Sequence, residues 1–187
     1  MRLKDRVVLI TGASRGVGAA CAVACAKEGA QLALAAKTVE PNPRLPGTVG
    51  AVAAQVEAVG GRALAMQVDV RFEEQIERMI RQTVKHFGRL DALVNNAGAI
   101  FWAPLADWPT KRFDLVMGVN VRAAFLASRA AIPHLREHGV RLRTRRASAP
   151  VSARRRRVWL GRSRLPVRPA HRDRGEGRGL QPRLRSH

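Results

Sequence analysis

The chain contains no tyrosine, so no fold of these 187 residues can present a phenolic acid–base group. Two cysteines, Cys21 and Cys25, are too few for a disulfide framework. One helical turn apart, they are expected to serve as small core hydrophobes. Acidic residues are scarce, 14 against 34 Lys and Arg, leaving a formal net charge of +20. No apolar run is long enough to span a bilayer, so no membrane association is expected. The apolar stretch Val7 to Ile10 is too short for the core of a signal peptide, and it reads as a buried strand. The expected compartment is the cytoplasm. The last lysine is Lys111, and every basic residue beyond it except the histidines is arginine.

The charge divides the chain. Residues 1–139 carry 18 basic and 12 acidic side chains, whereas residues 140–187 carry 16 arginines against Asp173 and Glu176. The first segment has the pattern of a globular domain and the second that of an arginine-rich tail of low complexity.

Strand and helix patterns alternate through the first segment. Val7 to Thr11 is an apolar run with the composition of a buried strand. Val17, Ala20, Cys21, Ala24 and Cys25 have the spacing of one face of a helix that Gly29 ends. Gln31 to Ala36 is a second strand. Pro41, Pro43 and Pro46 mark a loop before a helix from about Thr48 to Val59. Ala63 to Val68 is a third strand, and Ile76, Met79, Ile80, Val84 and Phe87 form the apolar face of the next helix. Asp91 to Asn95 is a fourth strand. One long helix is predicted from near Thr110 towards Leu135. This alternation predicts an α/β fold, a Rossmann-type parallel sheet with helices on both faces. A fifth strand is due at about 140–147, but four arginines there are incompatible with a strand buried on both faces. The regular fold is therefore predicted to stop after the fourth strand.

Thr11-Gly12-Ala13-Ser14-Arg15-Gly16-Val17-Gly18 joins the first strand to the first helix. Gly12 permits a tight turn, Gly16 allows backbone to approach a pyrophosphate, and Gly18 allows close helix–sheet packing. The helix start then offers free N–H groups and a positive dipole end to an anion. At the end of the second strand an NAD-selecting site usually has an acid on the ribose 2′-hydroxyl. Here stands Lys37, a cation where the 2′-phosphate of NADP would lie, with Arg15 as a second. NADP is therefore expected as the cofactor rather than NAD. The plainer alternative is that Lys37 only caps a strand in solvent.

These motifs, with Asp69-Val70 after the third strand, Asn95-Asn96-Ala97-Gly98 after the fourth, and Asn120 in the long helix, resemble the short-chain dehydrogenase/reductase family over residues 1 to about 139. Further stretches (35–48, 109–122 and 131–135) narrow the likeness to one subgroup. The resemblance implies hydride transfer between NADP and a small alcohol or carbonyl substrate, in a homo-oligomer. It implies that Asp69 bonds the adenine amine and Val70 lies against that ring. Asn95, Ala97 and Gly98 would line the cofactor cleft, and Asn120 would act in catalysis by holding a water in the proton relay. An asparagine on an apolar helix face needs a partner in any case.

The family also uses a Tyr with a Lys four residues later, and a Ser on the fifth strand. No Tyr exists here, no Lys follows Lys111, and Ser148 lies in an arginine-rich context unlike that strand. The chain is therefore expected to be impaired or inactive. His134 and His138 match H-x-x-E-H, but they end a helix already accounted for, and no metal is expected. Three readings of 140–187 stay open. The favoured one is a frame-disrupted continuation, because arginine without lysine is what GC-rich DNA yields out of frame. The others are a disordered polycation binding nucleic acid non-specifically, and a diverged substrate module. The rival to an enzyme is thus a polyanion-binding protein driven by the tail.

Overall fold

A computed structural model describes residues 1–41, 43 and 46–138. Over these residues β1 (Val7–Thr11), α1 (Gly16–Lys27), β2 (Gln31–Ala36), α2 (Val49–Ala58), β3 (Arg62–Gln67), α3 (Glu73–Phe87) and β4 (Ala92–Val94) alternate, followed by α4 (Thr110–Met117) and α5 (Ala123–His138). The strands form one parallel sheet in the order β3-β2-β1-β4. Val8 lies opposite both Leu32 and Ala92, and Ile10 opposite both Leu34 and Val94, so β1 is central. This is the predicted Rossmann-type architecture. The arginine-rich tail, the anticipated break at 140–147 and Ser148 lie outside the described residues.

A parallel strand covered on both faces must be apolar at every position. β1 is buried throughout, and β2 is buried from Leu32 onward. Alternation then sorts the side chains into two layers. Val7, Leu9, Ala33 and Ala35 pack with Ile76, Met79 and Ile80 of α3 and with Leu126 and Ala127 of α5. Val8, Ile10, Leu32 and Leu34 pack with Ala22 and Ala26 of α1 and Val52 and Val56 of α2. α2 begins where Thr48 accepts a hydrogen bond from the N–H of Ala51 at 3.0 Å. α3 has Glu73 and Glu74 in its first turn and Lys85 and His86 in its last, matching the helix dipole.

Three expectations need correction. The buried face of α1 is Gly18, Ala22 and Ala26, and Val17 and Ala20 point to solvent. Cys21 and Cys25 are only partly buried beside that face. The cause is contact distance: the smallest residues face the sheet, so the helix sits close to it. The long helix is not uniform either, because residues Gly118–Arg122 form a π turn between α4 and α5. Finally, the rod from Thr110 to Glu137 is long and apolar enough to cross a membrane by length and composition, with a mean hydropathy of 1.4 in its most apolar window. Single charges interrupt it without removing that property. Its inner face packs on the sheet through Ala123, Leu126, Ala127 and Ala131. Phe113, Met117, Val121 and Phe125 lie exposed on the outer one.

At the opposite end of the sheet from the glycine turn, Asp91 ties β1 to β4. Its side chain is 1% exposed. The carboxylate accepts hydrogen bonds from the Val7 N–H at 2.9 Å, Arg6 Nη1 at 2.8 Å and Arg89 Nε at 2.7 Å. Burial acts to raise its pKa, but the hydrogen bonds from Arg89, Val7 and Arg6 outweigh it and hold the carboxyl below its ordinary value. A depressed carboxylate pKa stabilises the fold above the unfolded value of about 4, and that contribution disappears as pH falls through the folded value. Asp91→Asn is expected to lower stability by about 2 kcal/mol at neutral pH. It should also flatten the loss of stability below about pH 4, as read from thermal melts across pH.

Candidate functional site

The turns that follow all four strands meet at one end of the sheet and enclose a cleft of about 330 Å³. Gly12 and Ser14 line it after β1, Ala36, Lys37 and Thr38 after β2, and Val68 to Arg71 after β3. Ala97 and Gly98 contribute after β4, and Leu115 and Val119 close it from the helical rod.

Its floor depends on an absence of side chains. Gly12 has φ +68°, and a Cβ there would stand 2.7 Å from the Cα of Ala97. A Cβ on Gly18 would stand 2.5 Å from the Gly12 carbonyl oxygen and 2.6 Å from Asn96 Nδ2. Three backbone segments therefore cross where only glycine fits. Asn96 fastens the crossing. Its Nδ2 donates to the carbonyls of Thr11 at 2.9 Å and Gly12 at 3.1 Å. Thr11 Oγ1 accepts from the N–H groups of Asn96 and Ala97, both at 3.1 Å. Ala13 is buried below the turn, its N–H donating to the Ala35 carbonyl at 3.2 Å.

The rim differs. Gly16 is exposed, and its missing Cβ faces open space, as does the 71% exposed Val17. α1 has neither a side-chain N-cap nor an acid in its first turn, so its positive end is uncompensated from within. Arg15 Nη2 donates to Thr38 Oγ1 at 3.1 Å and to the Gly47 carbonyl at 3.2 Å, closing the loop between β2 and α2. Both acceptors are neutral, and Arg15 Nε is buried without a hydrogen-bond partner. Lys37 Nζ lies 3.6 Å from Asp69 Oδ2 with its side chain 71% exposed. Arg71 Nε bonds Asp69 Oδ1 at 2.9 Å. Hydrogen bonds from Arg71 hold the Asp69 carboxyl below its ordinary pKa, against the opposing effect of burial. Val70 is buried beside it.

Of the residues proposed to bind the cofactor, Ala13, Arg15, Gly16, Val17, Gly18 and Asn95 are not among those lining the cleft. β4 ends at Val94, so Asn95 turns away and Nδ2 donates to Ser128 Oγ at 3.1 Å. Asn95 and Asn120 instead line a small cavity of about 30 Å³ between β4 and α5. The partner that Asn120 needs is the backbone of Ala99: Oδ1 accepts from its N–H at 2.8 Å and Nδ2 donates to its carbonyl at 2.9 Å. The π turn carries Asn120 at this contact. Thr11 and Asn96 are the functional residues missed by sequence reasoning. The repeated Asn95-Asn96 was the available signal, but it does not say which amide faces inward.

A parallel sheet with helices on both faces, a glycine-rich turn at a helix start, and a cleft across the carboxyl ends of the strands define the class of dinucleotide-binding α/β domains. Comparison with known proteins specifies the family. The profile described as short chain dehydrogenase matches residues 6–141, and the chain belongs to that family. Hydroxysteroid dehydrogenase-like protein 2 from Homo sapiens is 51% identical over 139 residues, covering 74% of this chain and 33% of the relative. The Danio rerio protein of the same name is 48% identical over 134 residues, 72% of this chain and 32% of the relative. The chain thus spans about a third of the length of the curated relatives it matches. A short chain dehydrogenase structure from Mycobacterium thermoresistibile superposes with TM-score 0.69 at 41% identity, covering 71% of this chain and 48% of that one. A variant of a Serratia marcescens short-chain dehydrogenase/reductase gives 0.65 at 36% identity, covering 72% and 53%.

The two adjacent asparagines should separate experimentally. Asn96→Ala leaves two carbonyls at the crossing without a donor and is expected to cost about 2 kcal/mol in thermal or denaturant melts. Asn95→Ala, exposed and bonded only to a serine hydroxyl, should cost under about 1 kcal/mol.

Proposed function

We propose that residues 1–138 form the cofactor-binding part of an NADP-dependent oxidoreductase acting on a small alcohol or carbonyl. We further propose that the chain as given lacks the proton donor for rapid turnover. The observation that carries the cofactor choice is Arg15: its guanidinium bonds two neutral oxygens and keeps a buried, unpartnered Nε beside the end of β2. Lys37 adds a second cation there, and the acid that would select a 2′-hydroxyl is absent from that position.

The residues present fit a dinucleotide. The bare start of α1 and the open face of Gly16 suit a pyrophosphate. Arg15 and Lys37 would hold the 2′-phosphate. Asp69 would accept from the adenine amine with a carboxylate already oriented by Arg71. Ala97 and Gly98 offer backbone without bulk along the cleft. When bound, the nicotinamide supplies or accepts the hydride. Asn120 holds the Ala99 segment at the inner end of the site and positions backbone there. Its amide does not titrate near neutrality, so it cannot replace a general acid. No tyrosine stands anywhere in the 187 residues, and no lysine stands beyond Lys111. A positioned proton donor is typically worth about 10²–10⁴-fold in rate. Cytoplasmic residence and a small-molecule substrate complete the proposal.

Titration calorimetry is expected to show NADPH binding at least about tenfold tighter than NADH, a difference of about 1.4 kcal/mol. Lys37→Asp should remove that preference. Equal affinity for the two nucleotides, or a preference unchanged in the variant, would contradict the assignment. Carbonyl reduction with saturating NADPH should fall at least about 10²-fold below ordinary enzyme rates. Turnover at ordinary rates would refute the missing-donor reading alone.

A further inference from the structure

A second concavity lies away from the cofactor cleft, between the outer edge of β3 and α3, with a volume of about 630 Å³. β3 pairs only with β2, so among the described residues its other edge has no strand partner. Alternate N–H and C=O groups along such an edge are free to pair with another strand. The floor is apolar, from Leu64 and Met66. The wall is a stripe of α3 at i, i+4, i+7 and i+8: Arg78, Gln82, Lys85 and His86, all exposed. Among the described residues no acidic side chain lines the groove. Glu74, one turn before Arg78, stands outside it, and Glu77 pairs with Arg81.

We propose that this edge binds an extended acidic peptide segment of a partner protein as an added strand. Main-chain pairing with β3 would supply affinity, and carboxylates on the segment would meet Arg78 and Lys85. Charge disfavours two other occupants. A second copy joining edge to edge would set Arg78 and Lys85 of one chain against those of the other. Residues 140–187 carry 16 arginines and two acids, and they would be repelled. A nucleic acid would match the cations, but it would make no use of the strand edge or the apolar floor.

The test uses the full chain and a fluorescein-labelled peptide of about nine alternating Glu and Val residues, a length matched to one strand. Binding is followed by anisotropy, and hydrogen exchange locates it. The expected result is slower exchange across residues 62–67. Arg78→Glu/Lys85→Glu should weaken binding by about tenfold or more while keeping a cooperative melt, and a Lys-Val peptide should bind at least as weakly as that variant. Both substituted positions are exposed, so the variant folds. Failure to bind, binding without protection at 62–67, or affinity indifferent to the double reversal would overturn the proposal. The last outcome would also identify capture by the arginine-rich segment. Protection of 62–67 by a DNA duplex in place of the peptide would overturn it as well.

Discussion

The cleft exists because three backbone segments cross at two glycines, with the Asn96 amide fitted against them. The turn after β1, the start of α1 and the segment after β4 converge where a single methyl on Gly12 or Gly18 would fall within 2.7 Å of its neighbours. Everything functional hangs from that crossing. It sets how close α1 stands to the sheet, and so why the buried face of α1 is Gly18, Ala22 and Ala26. It also brings Ala97 and Gly98 alongside Gly12, closing a side that would otherwise be open. Asn96 and Thr11 convert the steric fit into a bonded one, since five hydrogen bonds link the ends of β1 and β4 through these two side chains.

Two clusters of charged residues mark the two ends of the sheet. At the lower end Asp91 is fully neutralised by Arg6, Arg89 and a backbone N–H, and it serves to register β1 against β4. At the upper end the balance is tipped the other way. Among the described residues Asp69 is the one carboxylate lining the cleft, and it is shared by Arg71 and Lys37, while Arg15 donates to two neutral acceptors. The excess of cation over anion is therefore local and structural, apart from the large charge carried by residues 140–187. A cleft with that imbalance attracts a polyanionic ligand.

Much of the architecture was legible because strong local signals agreed. The largely apolar β1 and β2, the strongly amphipathic α3 and the glycine turn each allow one reading. α1 was not legible in detail, because nearly every residue from Gly16 to Ala26 is small or apolar and periodicity does not choose a face. Contact distance chose it instead. Asn95 and Asn96 are chemically identical neighbours, and only the end of β4 at Val94 decides which one turns inward. The π turn at Gly118–Arg122 and the bonding of Asn120 to Ala99, 21 residues away, depend on tertiary contact that no local pattern encodes. Position 37 was readable as a cation, but Arg15 as the clasp of the Thr38–Gly47 loop was not, since that role needs Gly47 folded back against Ser14.

The most direct test of a glycine-built dinucleotide cleft is residue-resolved. Amide chemical shifts of the isotopically labelled chain are followed as NADPH is added. The account predicts that Gly12 to Gly18, Lys37 and Thr38, Asp69 to Arg71, and Ala97 and Gly98 shift together along one binding curve, and that Gly12→Ala abolishes all of these shifts at once. Shifts confined to other surfaces, or a Gly12→Ala chain that binds NADPH with unchanged shifts, would contradict it.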